Sequence, residues 1–251
     1  MKSLNQYLQE KLIINKDFNK KNQINITVTP KDHYELKDII EDRYKKLGPG
    51  TKQNPIDFND IDTSKITSFE ELFNRLNFEY IDISLWDTSQ VDSMMNMFYS
   101  CEKLVSIGDI GEWDVSNVKT FRGMFFYCKR LEGVGDLSKW KVTDKLTYTT
   151  VMFGMCYKLK NIGDIGKWKM KNVTNMVAMF SGCHELEYIG DISSWDLRNV
   201  KSMSGMFRSC KNLTDIGDLS KWKKPKDFKR NFYFEDVFKE SSIKNIPDWA
   251  F

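Results

Sequence analysis

Leu104-x-x-Ile107-Gly108-Asp109-Ile110-x-x-Trp113-Asp114-x-Ser116-Asn117-Val118, followed by Met124-Phe125-x-x-Cys128, is one unit of a pattern that the chain repeats, and the next unit opens at Leu131. Trp86, Trp113, Trp140, Trp168, Trp195 and Trp222 step by 27, 27, 28, 27 and 27 residues. The five cysteines, Cys101, Cys128, Cys156, Cys183 and Cys210, keep the same beat. So do the Met-Phe pairs from Met97-Phe98 to Met206-Phe207 and the Gly-Asp pairs from Gly108-Asp109 to Gly217-Asp218. A fixed period of this size means stacked units, each burying one face against its neighbours. Such a stack displays its other faces as a long surface, which suits binding better than a closed catalytic pocket.

Leu104 to Ile110 is short, β-branched and broken by Gly108, and reads as one parallel strand per unit. From Asn117 to about Tyr127, Val118, Phe121, Met124 and Phe125 recur at helical spacing, behind Ser116 or Asp114 as a cap. The unit is then a strand, a turn and a short helix, an α/β repeat. Parallel strands stack about 4.8 Å apart, so each Trp, Cys, Met-Phe pair and Leu meets its own copy in the next coil. Phe78-x-x-Ile81-Asp82-Ile83-x-x-Trp86 lacks the glycine of the later units, which marks that glycine as a bulge in the strand.

Both ends of the array fade, as terminal units do when one side faces water. Ile61 to Ile66 with Leu72-Phe73 reads as a degenerate unit, Ile61 standing in the Trp place. Val237-Phe238, Ile243, Ile246 and Trp249 read as a last one. The expected organisation is an N-terminal helical segment and cap over residues 1–50, a degenerate first repeat over 51–76, regular repeats over 77–222 and a C-terminal capping repeat over 223–251.

The Trp-Asp-x-Ser-x-Val…Met-Phe-x-x-Cys-x-x-Leu pattern, over residues 57 to 222, resembles the BspA-like leucine-rich repeats of bacterial surface proteins, in the subtype associated with Mycoplasma lipoproteins. The resemblance implies a leucine-rich-repeat-type solenoid of about six to eight coils of 27 residues. It also implies adhesion or other protein binding.

Outside the repeat, Ser3 and Gln6 fit a capping box, and Leu4, Tyr7, Leu8 and Leu12 form an apolar stripe. Ile24-x-Ile26-x-Val28 alternates as a strand does. Thr29-Pro30-Lys31-Asp32 predicts a helix start with Thr29 as cap and Pro30 first in the helix. Leu36, Ile39, Ile40, Tyr44 and Leu47 continue at helical spacing until Gly48-Pro49-Gly50 stops them. This helix is expected to cover the first coil. Met1-Lys2 followed by Tyr7-Leu8-x-Glu10 is similar to short N-terminal segments of tailed-phage head proteins. That resemblance implies a phage-borne member packaged through its first helix; a plain amphipathic start is the other reading, and both stand open. Residues 1–12 carry charge throughout and no small-residue cleavage site, so no secretory signal is read there. The expectation is cytoplasmic synthesis, with virion association or export by a non-classical route as alternatives.

The chain carries 38 basic and 35 acidic residues, a net charge of +3, which argues against nucleic acid as a partner. No apolar run approaches the ~18 residues that span a bilayer. His33 and His184 have no catalytic setting, no phosphate loop is present, and no catalytic residue, cofactor or metal set is expected. The cysteines, all in one column, read as small buried hydrophobes. For the column Asp82, Asp109, Asp136, Asp164, Asp191 and Asp218 two readings stand: bound Ca²⁺ relieves carboxylate repulsion, or each Asp accepts backbone N–H groups in the glycine turn. Asp87, Asp114 and Asp196 share a column with Lys141, Lys169 and Lys223, which rules out a metal there and makes the acids turn or helix caps.

Variable positions beside the strands make the expected binding face, with Tyr80, Glu132, Lys160, Tyr188 and Asp215 as its contact residues. The third unit, Trp140 to Met152, is one residue longer; either it places Tyr148 in an insertion loop on that face or it records drift. The expected partner is a protein, on a host surface or in a virion.

Overall fold

The structure, a computed structural model, describes residues 25–223, 225 and 234–248. The stripe Leu4 to Leu12, the Ser3–Gln6 box, Ile24 and Trp249 lie outside the described residues.

Helix α1 spans His33–Leu47. Its cap is Asp32, whose carboxylate accepts the Glu35 N–H at 2.9 Å, and not Thr29. Leu36 N–H closes the first turn on the Asp32 carbonyl, so the helix opens three residues later than the Thr29-Pro30 pair predicts. Pro30 is buried in the extended lead-in, and Val28 bridges Ile61 in parallel. Gly48 ends the helix at φ 75°, its N–H bonding the Tyr44 carbonyl. Leu36 and Ile40 are buried, Tyr44 stands edge-on to Phe78 at 4.7 Å, and the Arg43 guanidinium lies 5.1 Å over the Phe58 ring while bonding Asp60. α1 thus covers the apolar end of the first coil. Leu47, expected on the same stripe, is exposed in the last turn, beyond the Tyr44–Phe78 contact.

Strands β1 (Ile56–Asp57) and β2 (Ile81–Asp82) pair in parallel, Ile56 against Ile81 and Asp57 against Asp82. Further along, the expected strands shrink to single parallel bridges: Tyr80 to Ser106, then Gly133 to Asn161 to Tyr188. The difference is the inserted glycine. β2 belongs to the unit that lacks it; in the later units Gly108, Gly135, Gly163, Gly190 and Gly217 sit at φ between 80° and 90° and break the ladder. The carbonyl just before each glycine then takes the next bond, as from Ile83 N–H to Ile107 O at 3.2 Å and from Leu137 N–H to Ile162 O at 2.8 Å. This is the expected bulge, and it leaves almost no strand around it.

Among the described residues the expected helix per unit is absent, so the repeat there is not α/β. Where Asn117 to Tyr127 reads as helical, a second ladder of parallel bridges runs through Ser68, Ser93, Thr120, Tyr148, Asn175 and Ser202. Beyond it the chain makes successive tight turns. Met124, Phe126 and Cys128 donate their N–H three residues back, to Phe121, Gly123 and Phe125, each at 3.1 Å. Phe121, Gly123, Phe125 and Tyr127 donate instead to Tyr148, Thr150, Met152 and Gly154 of the next coil, at 2.8 to 3.0 Å. An α-helix would keep every N–H inside its own coil. Here every second one joins two coils, and burial at steps of three, three and one serves both arrangements. Left-handed residues such as Gly123 (φ 64°) and Tyr127 (φ 66°) sit third in alternate turns.

The core is a set of like-on-like columns. The rings of Phe73, Phe98, Phe125, Phe153, Phe180, Phe207 and Phe238 stack in one file, centroids 4.9 to 5.7 Å apart and tilts of 16° or less. Each tryptophan from Trp86 to Trp222 is buried and donates its Nε1–H to a carbonyl of the preceding coil, at 2.8 to 3.3 Å. Each cysteine thiol does the same to a phenylalanine carbonyl, at 2.9 to 3.1 Å. All five cysteines are free thiols, and burial pushes the titration of Cys128, Cys156, Cys183 and Cys210 up, that of Cys210 to about 12.

The longer third unit absorbs its extra residue between buried Val142 and Leu146, in the turn Thr143-Asp144-Lys145. Tyr148 lies past that turn and resumes the ladder between Thr120 and Asn175, so it is not on an insertion loop.

Candidate interaction surface

Positions beside the first ladder align coil upon coil. Glu132 N–H bonds Val105 O, Lys160 N–H bonds Glu132 O and Glu187 N–H bonds Lys160 O, which keeps the three side chains in one file. Their neighbours Gly133, Asn161 and Tyr188 are the bridged residues. Glu132, Gly133, Lys160, Asn161 and Tyr188 line an open groove of about 630 Å³, with Asp136 and Asp164 on its wall. Gly133 leaves open space at the groove's wall, since a Cβ there would meet nothing within 4 Å. Tyr188 is 46% exposed. Neither Glu132 nor Lys160 has an ion-pair partner among the described residues, whereas Glu102, Glu112 and Glu185 are each paired with a lysine one unit away.

Asp136 and Asp164, in the column for which Ca²⁺ binding and turn formation are the two expected roles, also border the groove. Their Oδ1 atoms accept the Ser138 and Gly166 N–H groups at 3.0 and 2.8 Å. Hydrogen bonding from Ser138 holds the Asp136 carboxyl below the usual range, and the same bond from Ser193 acts on Asp191. All six members of the column accept the N–H two residues on. Among the described residues, no group of three or more His, Cys, Asp or Glu is placed to hold a metal ion. His184 is exposed and stacks on Tyr157 at 5.0 Å.

Of the six expected contact residues, the groove brings together Glu132, Lys160 and Tyr188. Tyr80 lies in the same file but is half-buried, bridged to Ser106 two units before Asn161. Asp215 lies one unit past Tyr188 and spends its Oδ1 on the Gly217 N–H. Tyr148, though 47% exposed, belongs to the other ladder.

The family model described as "Mycoplasma protein of unknown function, DUF285" matches residues 45–162 and again residues 150–249, the whole stretch that carries the stacked coils. The chain belongs to this family. The match agrees with the Mycoplasma-type resemblance of the Trp-Asp…Met-Phe-x-x-Cys motif. No curated protein matches this DUF285 chain. Two solved structures are similar to it. A leucine-rich repeat protein from Eubacterium ventriosum ATCC 27560 is 18% identical over 69% of this chain and 38% of its own, with a TM-score of 0.39. One from Bacteroides ovatus ATCC 8483 is 20% identical over 73% of this chain and 48% of its own, with a TM-score of 0.37. The chain spans less than half the length of either. No helix among the described residues is long and apolar enough to cross a membrane.

Proposed function

We propose that this chain is a non-enzymatic protein-interaction module, a leucine-rich-repeat-type solenoid of about six to eight coils, and that it binds through the Glu132–Lys160–Tyr188 groove. The observation that supports this reading is the convergence of an unpaired acid, an unpaired base and a half-exposed tyrosine from three successive coils onto one open groove. Tyrosine brings large contact area at little entropic cost, and unpaired charges in an open cleft await partners of opposite sign. The partner is a protein, on a host surface or in a particle.

The test compares capture by the tagged full chain, by the E132A/K160A/Y188A variant and by a chain lacking residues 1–12, from source lysate and from host-surface extracts. Proteins held by the full chain and the truncation, and lost by the triple variant, support the groove. Undiminished capture by the triple variant overturns it. Virion proteins lost only on truncation would make the chain a particle component addressed by its first residues. Circular dichroism checks that each variant folds.

A further inference from the structure

Of the six arginines among the described residues, four are held by carboxylates: Arg43 by Asp60, Arg130 by Glu79, Arg198 by Asp196 and Arg208 by Asp236. Arg75 and Arg122 are the other two, and both are exposed. Among the described residues neither guanidinium has an ion pair, and both open on one hollow of about 430 Å³ along the run of tight turns. Tyr99 and Phe126 form its apolar wall, ring centroids 5.3 Å apart. Asn74 and Asn96 add carboxamides, and the shielded Asn74 Oδ1 has no hydrogen-bond donor. Glu71 is the one carboxylate on the wall. The hollow shares no lining residue with the Glu132–Tyr188 groove.

A guanidinium presents a planar fork that matches a carboxylate with two parallel hydrogen bonds. Arg75 lies in the coil of Phe73 and Arg122 in that of Phe125, two coils on and in a different column, so along the stack axis alone they stand roughly 10 Å apart. An extended peptide advances about 3.3 Å per residue, which places carboxylates three positions apart at the same separation. The rings line the same hollow as the forks.

We propose that this hollow is a second binding site, for an acidic peptide segment of a protein partner. Two carboxylates three residues apart engage Arg75 and Arg122, and an aromatic or apolar residue between them packs on Tyr99 and Phe126.

The probe is a fluorescein-labelled hexapeptide, Gly-Glu-Ser-Tyr-Glu-Gly, titrated into the full chain and read by fluorescence anisotropy. Saturable binding is expected, weakened about tenfold or more by R75Q/R122Q and by replacing both peptide glutamates with glutamine. K141Q/K169Q removes the same charge elsewhere and is expected to leave affinity unchanged. E132A/K160A/Y188A is also expected to leave it unchanged, so failure of the groove and failure of this site are told apart. No saturable binding, or equal weakening by K141Q/K169Q, overturns the proposal. So does a heparin-derived hexasaccharide that binds through Arg75 and Arg122 where the peptide does not. Unaltered circular dichroism of R75Q/R122Q shows that any loss is local.

Discussion

At Gly135 two demands fall on one residue. Its φ of 89° is left-handed, and a Cβ there would collide with the side chain of Asp109 in the preceding coil. Gly135→Ala is therefore expected to cost about 2 kcal/mol or more in urea unfolding. Gly133→Ala, two residues away, meets open space at an ordinary φ and is expected to stay within ~0.5 kcal/mol. Asp196 shows a different local economy. Hydrogen bonding from the Arg198 guanidinium holds its carboxyl at about 2. A depressed acid stabilises the fold above its unfolded pKa near 4, and that stabilisation disappears as the pH falls toward 2. Because the pair is partly exposed, Asp196→Asn is expected to cost under ~1 kcal/mol at pH 7 and nothing measurable near pH 2, by paired urea titrations. The cysteines are a third case. All five are buried out of a reagent's reach, and burial also holds the protons of Cys128, Cys156, Cys183 and Cys210, so at pH 8 a thiol reagent such as DTNB is expected to leave the native protein unlabelled and to react with all five after unfolding.

The run of tight turns is the element that the sequence hides. Burial at Val118, Phe121, Met124 and Phe125 fits a helix and a turn run equally, so the apolar pattern could not decide between them. The deciding signal lay in the column Asn96, Gly123, Val151, Ala178, Gly205, all left-handed. Two glycines and an asparagine hint at this; a valine and an alanine obscure it. Val151, β-branched at φ 49°, is the poorest fit in the column. Val151→Asn is expected to raise stability by ~0.5–1 kcal/mol, read as a higher melting temperature. The groove was half legible. Glu132 and Lys160 share one column and Tyr188 stands in the column beside it, so the period alone aligned them; Tyr148 was misplaced because the period does not say which turn absorbs an extra residue. The Arg75–Arg122 hollow was not legible at all. Those residues occupy different columns two units apart, and only the turn run brings them to one wall.

The molecule as a whole has no centre, only junctions between like neighbours. Trp, Cys and Phe columns carry the core from Phe73 to Phe238 without a break. Each coil rests on the two beside it, so stability is expected to be a sum of nearest-neighbour terms, greatest inside the stack and least at its ends. Amide exchange provides the check. The inter-coil N–H groups of Phe125 and Phe153 are expected to exchange more slowly than those of Phe73 and Phe207. Uniform rates along the file would mean that the array opens as one body. At this scale the reading from sequence was most complete, because a 27-residue period fixes which residue sits on which.

The junctions have a further property. Phe98 gives its N–H to Met124 and receives the Cys128 thiol at its carbonyl. Ile83 gives its N–H to Ile107 and receives the Trp113 indole in the same way. Every interior junction uses this same two-way exchange, so duplicating or deleting a whole unit creates no new kind of contact. A gene encoding such a chain can change length in steps of one unit and alter its protein by about 5 Å of display surface each time. The distance between the two outermost docking positions is then a heritable measurement, set by copy number rather than by any remodelling of the fold.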